Sequence, residues 1–128
     1  MKKSITTALV LSAMSGCAPA TGGASAHQSA RSSSCNSATS CQNIGLRYAG
    51  KGDQKNYAIA AGYFERACAY GLSEGCNNLG FLYANARGVK QSYTLAYQYW
   101  GKACRMGNDS ACANLDLAKE KVAAMHRR

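Results

Sequence analysis

Apolar and small side chains recur at helical spacing through the second half of the chain. Ala60, Phe64, Ala67 and Cys68 fall at i, i+4, i+7 and i+8, one face of a helix predicted from about Tyr57 to Tyr70. Asn56 stands where its N-cap belongs, and Gly71 where a left-handed residue stops the last turn. A second helix is predicted from near Ser73, burying Cys76, Leu79, Gly80 and Tyr83 at i, i+3, i+4 and i+7. The short link between the two makes them antiparallel neighbours.

Sliding this pattern forward by 36 positions reproduces it. Tyr57 falls on Tyr93, Ala60 on Ala96, Tyr63 on Tyr99, Cys68 on Cys104, Gly71 on Gly107, Cys76 on Cys112 and Asn78 on Asn114. Ser92 takes the N-cap place and Asp109 the start of the second helix. A fixed period of this size signals stacked units, none of which can bury its apolar face alone. The expected fold is all-α, a short α-solenoid of antiparallel helix pairs. Upstream, Cys41 to Ala49 reads as a lone second helix of an incomplete unit, so residues 35–128 hold about two and a half repeats. Downstream, the last helix turns rich in Ala, Lys and Glu, and Asp116 replaces the small Gly80 of the preceding unit. A carboxylate there would block close approach of a further helix and marks the end of the stack.

The stretches AGYFERACAYGLSEGCNNLGFLYANARGV and AYQYWGKACRMGNDSACANLDLA resemble the Sel-one-like repeat, a relative of the tetratricopeptide repeat. Their paired cysteines resemble its cysteine-rich branch, typified by secreted proteins of Helicobacter. The resemblance covers about residues 35–119, with Ala86 where the family usually has Gly and Ser92 where it often has Asp. It implies a tetratricopeptide-like fold. It also implies, as an alternative function, weak β-lactamase or penicillin-binding activity.

Seven cysteines are present, six of them within the repeats. Cys68 and Cys76 are eight apart, as are Cys104 and Cys112, and each pair joins the end of one helix to the start of the next. Cys35 and Cys41, six apart, precede a similar segment and form a truncated version of the same bridge. Zinc is the competing use, but close Cys-x-x-Cys pairs are missing. The seventh, Cys17, ends the quartet Met14-Ser15-Gly16-Cys17 after a basic head and an apolar run from Ile5 to Met14. That arrangement resembles a lipobox, making residues 1–16 a lipoprotein signal and Cys17 the lipidated terminus. Ordinary cleavage after Ala20 or Ala26 is the alternative. Residues 17–34, mostly Ala, Gly, Ser and Thr, read as a flexible tether.

The formal charge of +9 is spread along the chain, which suits a solvated surface or attraction to an acidic partner or anionic lipid. No Ser-x-x-Lys, Gly-x-Ser-x-Gly, His-Glu-x-x-His or Gly-rich phosphate loop occurs, so no catalytic residues, cofactor or metal are assigned. What remains is surface. Beside the core stripe the first helices carry a second apolar line, Ile59, Tyr63 and Tyr70, then Leu95, Tyr99 and Met106. It serves packing between units on one reading. On the other, Tyr63, Tyr70 and Tyr99 grip a protein or peptide, and Asn78 and Asn114 hydrogen-bond its backbone. The expected function is a protein-interaction adaptor, exported to the periplasm and lipid-anchored to the outer membrane, with no nucleic-acid partner. A purely structural envelope lipoprotein is a further alternative.

Overall fold

A computed structural model describes residues 34–128. Among them lie five α-helices: α1 (Ala38–Ala49), α2 (Gln54–Ala69), α3 (Ser73–Ala84), α4 (Tyr93–Arg105) and α5 (Asp109–His126). Each packs against the next in chain order, and α3 also touches both α1 and α5. Contact between alternate helices is what turns a row of helix pairs into a solenoid. The proposed signal, the tether and Cys17 lie outside the described residues.

Local chemistry sets the helix ends. Ser92 caps α4 by accepting the Leu95 amide at 3.1 Å, as its place in the repeat predicted. Asn56 does not cap α2. Asp53 does, accepting the Asn56 backbone N–H at 2.9 Å, while the Asn56 side chain donates back to the same carboxylate at 2.7 Å. Asn56 thus donates twice to the Asp53 cap, and α2 starts one turn earlier than the pattern suggested. α1 likewise begins before Cys41, capped by Ser37. At the other ends Gly71 and Gly107 adopt φ +97° and +96°. Around Gly71 the Leu72 amide donates to Ala67 and the Gly71 amide to Cys68, and Asn108 and Gly107 repeat both bonds. This six-to-one and five-to-two pairing satisfies the last carbonyls of α2 and α4.

The core is modular. Cys35, Cys41, Tyr63 and Ala67 pack α1 on α2, and Ala60, Phe64, Leu79 and Leu82 pack α2 on α3. Trp100, Ala103, Ala111 and Ala118 join α4 to α5 together with Cys68 and Cys76. A glycine socket recurs between neighbouring helices. A Cβ on Gly45 would come within 2.7 Å of the Phe64 ring, and one on Gly80 within 2.7 Å of the Trp100 ring. Small residue and large ring are complementary partners, because packed interiors leave no room for both to be large. The third member of the series is Asp116, and it is exposed.

All three bridges form as the spacing predicted: Cys35–Cys41, Cys68–Cys76 and Cys104–Cys112, with Cα separations of 4.9, 4.6 and 4.6 Å. With these six sulfurs paired, none of them is free to ligate zinc.

Candidate functional site

The second apolar line of α2 and α4 divides between core and surface. Tyr63 is only 5% exposed and stacks on Tyr48 with ring centroids 6.0 Å apart. Tyr99, one period on, is half-buried and stacks on Tyr83 at 5.8 Å. Burial raises the Tyr99 phenol above its ordinary value of 10.0, and nearby Glu65 and Tyr83 add to the shift. Both rings therefore serve the packing reading, cementing α1 to α2 and α3 to α4. For Tyr63 this departs from the expectation of an open anchor: the ring that pattern placed beside the core is part of it. Only the ends of the line are open, Tyr70 and Met106, which are the C-cap residues of α2 and α4.

A repeated concavity lies elsewhere, along α1, α3 and α5. The first groove, of about 340 Å³, is lined by Leu46, Ala49, Tyr57, Phe64, Asn78, Phe81 and Leu82, with Gly50 at its edge. The second, of about 240 Å³, is lined by Phe81, Ala84, Asn85, Tyr93, Trp100, Asn114, Leu117, Ala118 and Lys121. These are one groove built twice. Tyr57 and Tyr93, Phe64 and Trp100, Asn78 and Asn114 are each 36 apart. Leu46 and Ala49 correspond to Phe81 and Ala84, 35 residues later.

Phe81 belongs to both grooves and forms the ridge between them. It is 47% exposed, and its counterparts Leu46 and Leu117 are 49% and 53% exposed. A position that stays large, apolar and half in water through three successive repeats is not explained by the core. Such surfaces mark interaction sites. The sequence carried the signal three residues beyond Asn78 and Asn114. It was missed because an exposed apolar residue beside a helical stripe reads as part of that stripe until its neighbours are placed.

The polar groups around the grooves are ordered. Trp100 Nε1 donates to the Asn77 carbonyl at 3.0 Å, and Asn114 Nδ2 to Asn77 Oδ1 at 3.1 Å. Asn78 lies half-buried in the first groove. Arg87, on the loop after α3, donates to the Tyr57 hydroxyl at 2.6 Å, and its guanidinium sits 5.1 Å from the Tyr57 ring and 5.9 Å from that of Phe81. Neither lining contains a carboxylate, histidine, cysteine or serine. The arrangement offers apolar surface, amides and cations, which suits binding; it holds no nucleophile beside a base.

This architecture defines an α-solenoid of short helical repeats, and comparison identifies the kind. The Sel1 repeat model matches residues 38–71 and 73–108, more than half the chain, and the chain belongs to the Sel1 repeat family. Those spans pair α1 with α2 and α3 with α4, one helix earlier than the phase read from the sequence. α1, α3 and α5 are then equivalent helices, which is why their exposed faces repeat. Two curated proteins, from Helicobacter pylori strains J99 and 26695 and both named "Putative beta-lactamase HcpE", are 51% and 49% identical over 35 residues. The match covers 27% of this chain and about a tenth of the length of each relative.

Proposed function

We propose that the protein is an exported adaptor that grips a segment of another protein in the twin grooves of α1, α3 and α5. The observation that carries this is the repetition of the grooves around the half-exposed Leu46, Phe81 and Leu117. A family whose repeats mediate protein association supports it, as does a lining made for contact rather than reaction. Asn78 and Asn114 serve as the groove's amides, and Tyr70, the C-cap residue of α2, lies outside both groove linings. Aromatic and aliphatic side chains of a partner would enter the grooves on either side of the Phe81 ridge.

Export is supported by the three disulfides, which persist in oxidising compartments. Among the described residues no helix is long and apolar enough to cross a membrane. In our reading Cys17 carries lipid and the following segment tethers the repeat domain to the periplasmic face of the outer membrane. Cys17→Ser is then expected to release the protein from the detergent phase; an unchanged detergent partition would refute the anchor.

The groove reading is tested by retrieving partners from native envelopes with wild type, Phe81→Asp and Tyr70→Ser. A protein held by wild type and by the Tyr70 variant, but lost with Phe81→Asp at an unchanged thermal midpoint, supports the groove. Equal retention by all three would contradict it. Turnover of nitrocefin by the purified protein would favour instead a hydrolytic role like that in the relatives' name.

A further inference from the structure

We infer that the segment bound in the twin grooves is acidic, its apolar side chains interspersed with Asp or Glu; this rests on the groove reading above. Arg87 carries the argument. Its backbone is fixed from both sides. The Arg87 amide donates to the Leu82 carbonyl at 2.9 Å, and the following Gly88 donates its amide to Gln54 Oε1. Gly88 is pressed so closely on α2 that a Cβ there would run into the backbone of Tyr57 and Ala58. Its guanidinium is held by the Tyr57 hydroxyl and by the faces of Tyr57 and Phe81, both groove residues.

One of the five N–H donors of Arg87 goes to Tyr57, and no carboxylate partner is found for it among the described residues. An exposed, positioned guanidinium at the rim of an apolar groove is suited to take a carboxylate with two parallel hydrogen bonds.

The second groove has its own cation, Lys121, in the lining. Neither groove is lined by Asp or Glu, and Asp116 and Glu120 of α5 line a different surface with Lys119 and Arg127. Residues 34–128 hold twelve Lys and Arg against six Asp and Glu, so the surrounding field has the same sign. Basic partners are disfavoured by these like charges. Two discrete apolar grooves divided by one ring suit side chains spaced along a peptide better than a lipid surface.

The test is to pan a displayed library of random peptides against the full chain, and against Arg87→Gln and Phe81→Ala, with thermal midpoints confirming that each variant is folded. Wild type is expected to enrich peptides combining Asp or Glu with Leu, Ile or Phe. The best of them should lose about tenfold or more in affinity on Arg87→Gln, the equivalent of one charged hydrogen-bonding group. Affinity should also weaken as salt is added. Enrichment without an acidic excess, or equal affinity for Arg87→Gln, overturns the charge inference and leaves the groove standing if Phe81→Ala still abolishes binding. Peptides indifferent to Phe81→Ala, or no enrichment while phosphatidylglycerol vesicles bind the protein, overturn the groove reading as well.

Discussion

Ala86 adopts φ +55°, a backbone conformation that crowds its Cβ against the carbonyl that follows. The left-handed conformation costs an L-residue roughly 1–2 kcal/mol. Glycine, which the related repeats usually place here, adopts it freely but loses more entropy on folding, about 0.5–1 kcal/mol. The difference favours Ala86→Gly by up to about 1.5 kcal/mol, which for a domain of this size corresponds to a midpoint increase of roughly 4–8 °C per kcal/mol. Thermal unfolding of the variant checks this, and a lower midpoint would contradict it. The same scale governs acid sensitivity at Asp53. The Asn56 backbone amide, followed by its side chain, holds the Asp53 carboxyl below its ordinary value of 3.8. A depressed folded pKa means the stabilisation is present above the unfolded value and is lost as pH falls through the folded one. Asp53→Asn should keep the cap at neutral pH and flatten the decline in midpoint below about pH 4, relative to wild type.

Between helices, stability rests on staples as much as on core. The bridge Cys104–Cys112 closes a loop of sequence separation 8 between α4 and α5, and Cys68–Cys76 does the same between α2 and α3. In the chain-entropy picture each contributes roughly 2–3 kcal/mol. Replacing Cys104 and Cys112 together by Ala should lower the free energy of urea unfolding by about that amount, and an unchanged value would show that packing alone holds α5. Much at this scale was legible beforehand. Gly71, Gly107, Ser92 and the cysteine spacings act through their immediate neighbours, so the residues themselves disclose the helix ends and links. The start of α2 was misjudged because Asp53 and Asn56 both have cap chemistry and only three-dimensional pairing ranks them. Tyr63 was ambiguous for a different reason: a tyrosine beside the core stripe becomes core or surface according to whether Tyr48 is there to cover it.

At the largest scale the repeat domain, residues 35–128, presents two different faces. The outer line of α2 and α4 is largely consumed by stacked tyrosines, and the face of α1, α3 and α5 keeps Leu46, Phe81 and Leu117 in partial contact with water. The periodicity of the sequence announced the stack, but the groove arises only when equivalent helices align and the Gly45–Phe64 and Gly80–Trp100 sockets seat the two helices of each unit closely. Asp116 holds the corresponding position of α5 and is exposed, where Gly45 and Gly80 each meet a large ring. The most direct test of this account places a photo-crosslinking amino acid at position 46, 81 or 117, and in separate variants at 70 or 97, and irradiates the protein in its native cells. Tyr70 and Tyr97 are comparably exposed, at 55% and 40%, so exposure alone does not separate the two sets. The account predicts a common protein adduct from positions 46, 81 and 117 and none of that mass from 70 or 97. Adducts from 70 or 97 with none from 81 would contradict it and place recognition on another face.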